Sequence, residues 1–274
     1  DVTLIAKSDA FEFNNYDWSP DSKWITYSNP EIEVMTKVKL YSLESKKTID
    51  ITDGWYSSFS STFSSDGKYL YFVSDRNFSP KYSQTEWNHI YQDMAKIYLV
   101  TLAKDTKSPF EPKSDEVEIK DTTKKADDKD KKGKDDKVTV NVDEDGIQSR
   151  ILELPLEASN YFSLVSVGEK LYYQRNGSGD SKTKLLMFDI SKQKETELGE
   201  VNGYEISADK KKMLVQQSGS YAIIDLPSSK IEVKDKLNLN DMKMNLDRYA
   251  EWKQIYEECW RQMRDFFYAP NMHG

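Results

Sequence analysis

Short runs in which aromatic and β-branched residues alternate with polar ones, separated by tight-turn residues, recur along most of this chain. The clearest unit begins at Tyr16-Asp17-Trp18, turns at Ser19-Pro20-Asp21-Ser22-Lys23 and continues through Trp24-Ile25-Thr26-Tyr27. Val38-Lys39-Leu40-Tyr41-Ser42-Leu43 and Thr48-Ile49-Asp50-Ile51 complete it before Gly54. A period of two bounded by Ser, Pro, Asp and Gly predicts antiparallel strands joined by hairpins. The unit returns around the turn Ser64-Ser65-Asp66-Gly67-Lys68, around Gly168-Glu169-Lys170, and around Ala208-Asp209-Lys210-Lys211. Asp21 and Asp66 lie 45 positions apart, and Gly168 and Asp209 lie 41 apart. Both spacings match the blade of a β-propeller, which takes roughly 40–45 residues. The expectation is an all-β fold: a partial β-propeller with four-stranded blades, its four units belonging to a longer WD40-like array, since closed rings hold about four to eight blades.

Several stretches depart from the pattern. The apolar run Val2-Thr3-Leu4-Ile5-Ala6 reads as an edge strand or as the outer strand of a preceding blade. In the second unit, a long connection from Ser74 passes Trp87, Asn88, His89 and Tyr91 before Lys96-Ile97-Tyr98-Leu99-Val100-Thr101-Leu102 resumes a strand. Long surface loops of this kind are where binding function concentrates. Residues 104–137 break the composition: 120–137 hold eight lysines and six aspartates without one aromatic or branched aliphatic side chain. That segment reads as a disordered insertion, because it buries too little apolar area to offset the entropy of ordering. Strand signals resume at Val138-Thr139-Val140-Asn141-Val142 and across residues 147–156, and Ile231-Glu232-Val233 reads as the last strand of the fourth unit.

Near the end the period changes to 3.6. Leu246, Tyr249, Trp252, Tyr256, Trp260, Met263 and Phe267 recur at steps of three and four, predicting an amphipathic C-terminal helix over 246–268 with Asn245 as N-cap. The chain therefore divides into residues 1–240, a β-propeller segment, and residues 241–274, which open on a helix whose broad aromatic stripe needs a partner.

Composition narrows the function. A net charge of -8 argues against a nucleic-acid binder, which needs a basic face. No apolar run is long enough for a membrane span. The single cysteine, Cys259, excludes an intrachain disulfide and reads as buried packing. An opening on Asp1 rather than Met suggests a processed or excised chain. Trp18, Trp24, Ile25 and Tyr27 read as packing between sheets. His89 reads as a loop or packing residue, and His273 alone makes no triad. The serines of 57–65 lack the base and oxyanion donors that make a nucleophile. The carboxylates of 120–137 resemble a calcium loop in composition alone, without its ligand spacing. No Gly-x-Ser-x-Gly elbow, phosphate loop, dinucleotide fingerprint or His-Glu-x-x-His motif is present. The sequence thus predicts no catalytic, cofactor or metal residue and no cofactor.

The turns Ser19-Pro20-Asp21-Ser22-Lys23 and Ser64-Ser65-Asp66-Gly67-Lys68, Leu154-Pro155-Leu156, and above all the terminal strings resemble the tricorn protease family. Those strings are Glu251-Trp252-Lys253-Gln254-Ile255-Tyr256, Trp260-Arg261-Gln262-Met263-Arg264-Asp265-Phe266-Phe267-Tyr268 and Pro270-Asn271-Met272-His273-Gly274. The resemblance implies a large oligomeric serine peptidase ordered as propellers, a helical domain, a PDZ-like domain and a peptidase core. It further implies that peptides are partners, that the propeller next to the helical domain guides them, and that the catalytic serine and histidine lie beyond residue 274. The compartment, cytoplasmic or periplasmic, stays open. The alternative is a non-enzymatic propeller module for protein–protein interaction. A third reading is the propeller of a prolyl-oligopeptidase-like enzyme.

Overall fold

In the computed structural model the described residues are 2–8, 13, 15–82, 89–111, 138–269 and 271–274. They fall into two compact units, residues 1–236 and 237–274.

The first unit is built from antiparallel sheets. Strands β1 (Tyr16–Trp18), β2 (Trp24–Asn29), β3 (Lys37–Ser42) and β4 (Thr48–Asp50) form the first sheet in that order. The second contains β5 (Ser58–Phe63) and β6 (Tyr69–Ser74). The short ribbon β7 (Lys81–Tyr82) and β8 (His89–Ile90) intervenes before β9 (Lys96–Thr101) and β10 (Ile151–Glu153) complete that sheet. The third sheet is β11 (Tyr161–Val167), β12 (Lys170–Arg175), β13 (Lys184–Asp189) and β14 (Lys194–Glu200). The fourth has three strands, β15 (Gly203–Ile206), β16 (Lys212–Gln217) and β17 (Ser220–Asp225). Within each sheet, chain order is spatial order, the arrangement of propeller blades.

The side-chain period of two explains why the inner strands read as continuous apolar runs. On β6, Leu70 and Phe72 pack with Val38 and Leu40 of the first sheet and Ile51 just after it, while Tyr71 and Val73 pack with Leu171 and Tyr173 of the third. On β12 the neighbouring Tyr172 turns to a third core with Met213 and Val215 of the fourth sheet. A central blade is buried on both faces, so polar alternation disappears from it. Burying a large apolar side chain in this way contributes about 1.5–3 kcal/mol.

The recurring Ser-x-Asp-x-Lys turn has a common hydrogen-bond design. Ser19 Oγ accepts from the Trp24 amide at 2.9 Å and donates to Asp21 Oδ1 at 2.6 Å. Ser64 and Asp66 repeat this with the Tyr69 amide, and Ser207 and Asp209 with the Lys212 amide. The fourth turn residue is left-handed each time: Ser22 at φ 59°, Gly67 at 70° and Lys210 at 60°. Gly67 is the one position where a side chain has no room, for a Cβ there would lie 2.7 Å from Val140 Cγ2.

Residues 104–111 are described, and 112–137, the rest of the stretch read as a disordered insertion, lie outside the described residues. The chain on its two sides is tied together. The Asp143 amide donates to Leu102 O at 3.0 Å, and Arg150 donates to Thr101 O at 3.0 Å and Leu102 O at 3.2 Å. β10 then pairs with β9, so the second sheet is completed by chain 50 residues beyond its third strand.

Some expectations are corrected. Residues 2–6 form no strand, and Val2 and Leu4 are exposed. Residues 138–142 are not a strand either: the Val140 amide donates to Asp21 Oδ2 at 2.9 Å, and its side chain fills the core between the first two blades. Residues 231–233 add no fourth strand to the last blade, because the Ile231 amide bonds to Leu198 O on β14 at 2.7 Å. Trp18 is half exposed rather than packed between sheets, whereas Ile25 and Tyr27 are buried.

The second unit contains α1 (Arg248–Phe266). Its N-cap is Asp247 rather than Asn245, with the Asp247 side chain accepting from the Tyr249 and Ala250 amides. No residue of α1 is buried, so Cys259 is exposed where packing was expected.

Candidate functional site

The first strand of every blade contributes to one cavity of about 420 Å³. Residues 15–18 reach it from the first blade, 60–65 from the second, 163–166 from the third, and Glu205, Ile206 and Lys210 from the fourth. Each of these strands is hydrogen-bonded on one side only, at the end of its sheet. A propeller gathers such inner edges around a central channel.

The lining is held in place by polar clasps across each blade junction. Asp17 Oδ2 accepts from Thr62 Oγ1 at 2.8 Å and from the Phe63 amide at 3.1 Å. Behind them, Thr26 Oγ1 donates to Ser61 Oγ at 2.7 Å in a buried contact. Between the second and third blades, Ser65 Oγ accepts from the Gly168 amide at 3.0 Å and donates to Ser166 O at 3.3 Å. The Tyr204 hydroxyl of the fourth blade donates to Ser163 O of the third. In the turn of the first blade, burial opposes the charge of Asp21. Hydrogen bonds from Ser19, Val140 and Lys23 outweigh it and hold the carboxyl below its ordinary range.

Two inner strands carry the same irregularity. Between Phe59 and Thr62 the register of β5 against β6 shifts, and between Phe162 and Val165 that of β11 against β12 shifts. Ser60 at φ 53° and Ser163 at φ 55° occupy the equivalent left-handed position in the two bulges. A β-bulge re-aims side chains, often beside a functional site.

Hydroxyls without a base do not make a nucleophile. Among the described residues, no His contributes to the lining. His273 contacts the Tyr268 hydroxyl through Nε2 in the second unit, and the His89 side chain lies outside the described residues. Cys259 is exposed on α1. The described residues include no group of three His, Cys, Asp or Glu side chains placed to hold a metal ion. None of their helices is long and apolar enough to cross a membrane. The sequence did not single out Asp17, Ser60 or Ser163. The serine-rich stretch 57–65 was visible, but the left-handed turn of Ser60 leaves no mark in residue type.

Sheets of this topology gathered by their first strands around a shared cavity define a β-propeller segment. The chain belongs to the tricorn protease family: the model of the tricorn protease second beta propeller domain matches residues 1–227, and that of the tricorn protease C1 domain matches 248–274. It thus covers the propeller and the start of the C1 domain, not the catalytic domain.

Among curated proteins, it is 27% identical to tricorn protease homolog 1 of Streptomyces coelicolor, over 100% of this chain and 27% of that protein. It is 30% identical to a putative tricorn-like protease C-terminal subunit of Sulfurisphaera tokodaii, over 98% of this chain and 31% of that protein. The chain therefore spans between a quarter and a third of these relatives. The crystal structure of the tricorn protease superposes with a TM-score of 0.77 at 18% identity, covering 98% of this chain and 26% of that one, which establishes the shared fold.

Proposed function

We propose that this segment is the non-catalytic propeller of a tricorn-type serine peptidase and that its channel passes extended peptides toward a peptidase core carried elsewhere in the parent. The observation that carries the reading is the cavity itself: four first strands present one-sided edges to a common space, and those of the second and third blades line it with serine and threonine. Open strand edges pair with extended chains through main-chain hydrogen bonds, which suits a guide that accepts many sequences. Residues 1–240 are the propeller part of this assignment and 241–274 the opening of the helical domain. The remaining helical, PDZ-like and peptidase domains of the parent are the partners, and a homo-oligomer the expected assembly.

The test pairs two measurements on an unstructured peptide mixture. The 274-residue chain should bind it without cleaving it, while the full-length parent should cleave it. Cleavage by the segment alone, after removal of contaminating protease, would overturn the assignment.

A second reading, a docking module for another protein, is favoured by the exposed Trp55, Phe78 and Tyr91 on loops of the first two blades. Retention of a folded partner with no affinity for extended peptides would support it instead.

A further inference from the structure

The mouth of a peptide channel needs side chains that read a main chain without regard to sequence, and one pair of residues in this cavity has that character. Ser60 and Ser163 sit at the same point of adjacent blades, each as the left-handed residue of a bulge in the first strand, and both line the cavity. Neither hydroxyl makes a hydrogen bond among the described residues. That is notable for Ser60, which is only 9% exposed. The neighbouring hydroxyls are committed: Ser61 to Thr26, Thr62 to Asp17, Ser64 to Asp66 and Ser65 to Ser166 and Gly168. The fold therefore satisfies the hydroxyls around Ser60 and leaves that of Ser60 open to the cavity.

The backbone makes the same point independently. A left-handed φ is unfavourable for serine, and glycine would occupy it without strain. Strained positions of this kind gather at ligand clamps. Serine stands at both bulges, where the register shift leaves no cross-strand partner for Ser60 or Ser163 and turns the side chain away from the ladder.

The geometry points to Ser60 and Ser163 as paired stations that hydrogen-bond the main chain of an extended peptide in the channel. The inference rests on the peptide-passage reading and adds the residues and the kind of recognition. A serine hydroxyl both donates and accepts, so it meets either the N–H or the C=O of a passing peptide. The recognised class is consequently an unfolded peptide with free main-chain amides, whatever its side chains.

The experiment is fluorescence anisotropy with the whole 274-residue chain. The probes are a labelled unstructured peptide of alanine, glycine, serine and lysine and the same peptide with alternate amides N-methylated. Wild type should bind the methylated peptide roughly tenfold more weakly, the scale expected for two lost hydrogen bonds of modest strength. The double variant Ser60→Gly, Ser163→Gly keeps the left-handed backbone and loses both hydroxyls. It should fold at least as stably, bind the plain peptide roughly tenfold more weakly and distinguish the two peptides less than wild type does, the remaining difference coming from the open strand edges. Ser163→Asn, which tolerates the left-handed region and retains hydrogen-bonding groups, should bind like wild type. Equal affinity and equal discrimination in wild type and the glycine variant would overturn the assignment of these serines while leaving peptide passage standing. Absence of binding by wild type would overturn both.

Discussion

Asp17 of the first blade accepts a hydrogen bond from Thr62 Oγ1 of the second at 2.8 Å, and the same carboxylate oxygen takes the Phe63 amide at 3.1 Å. One side chain thereby satisfies two donors across a blade junction at the channel wall. Hydrogen bonds to a charged group are worth about 1.5–3 kcal/mol, so Asp17→Ala should lower the unfolding free energy by about 2 kcal/mol. Asp17→Asn keeps an acceptor without the charge and should cost less, and Thr62→Val removes only one of the two bonds. Urea unfolding of the variants measures this order. An Asp17→Ala protein as stable as wild type would show that the junction is held by its apolar core alone.

Gly67 and Lys210 stand at the same place in their turns, at φ 70° and 60°. The energetic demands differ because a Cβ on Gly67 would meet Val140 Cγ2 at 2.7 Å and Val138 Cγ1 at 3.1 Å, whereas Lys210 is exposed. Lys210→Gly should therefore raise stability by about 1 kcal/mol through relief of the left-handed conformation. Gly67→Ala should lower it by more than about 1 kcal/mol, since strain and steric overlap add. Opposite shifts in thermal midpoint are expected. A destabilising Lys210→Gly would mean that the lysine stem contributes packing at that turn.

The repeat was legible because its turns are chemical. Serine and aspartate at fixed spacing form the same side-chain-to-amide bonds in three blades, so residue type and geometry coincide. The blade cores were legible as short aromatic and aliphatic runs bounded by turn residues. What failed were places where a non-local partner decided the outcome. Val138-Thr139-Val140-Asn141-Val142 has the pattern of a strand, yet Asp21, 119 positions away, takes the Val140 amide. Ile231 likewise leaves its own blade to bond Leu198. The helix was legible and its cap was misplaced by two residues, because Asn245 and Asp247 are equally good N-caps by type. The candidate site was the least legible part, since the sequence shows that serines cluster but not which hydroxyls are left without partners.

Asp189 closes the turn after β13, accepting from Lys192 Nζ at 2.8 Å, Ser191 Oγ at 2.8 Å and the Lys192 amide at 3.0 Å. The bond from Lys192 is the chief cause that holds its carboxyl at about 2, against 3.8 without these contacts. The folded-state value lies below the unfolded one. The contribution is therefore complete above the unfolded pKa, and it is lost as pH falls from about 4 through about 2. Asp189→Asn should flatten the pH dependence of stability in that window and leave the slope above pH 6, on the order of zero for this group, unchanged. Urea midpoints taken across the acid range provide the measurement. Identical acid slopes in variant and wild type would remove Asp189 from the account.

Asp247 caps α1 with one oxygen, Oδ1 accepting from the Tyr249 amide at 2.9 Å and the Ala250 amide at 3.2 Å. Its charge also lies at the helix N-terminus, where the aligned peptide dipoles favour an anion, and Glu251 in the first turn adds to that. Losing an N-cap costs about 1 kcal/mol. Since the stripe of Tyr249, Trp252, Tyr256 and Trp260 is exposed and lends α1 little packing energy, local terms of this size weigh heavily in its stability. Asp247→Ala should accordingly fray the first turn and lower helicity, whereas Asp247→Asn should retain the cap and lose only the charge. Because α1 is the one α-helix among the described residues, ellipticity at 222 nm reports on it directly. An alanine variant with undiminished helicity would mean that contacts along the aromatic stripe, not the cap, hold the helix in solution.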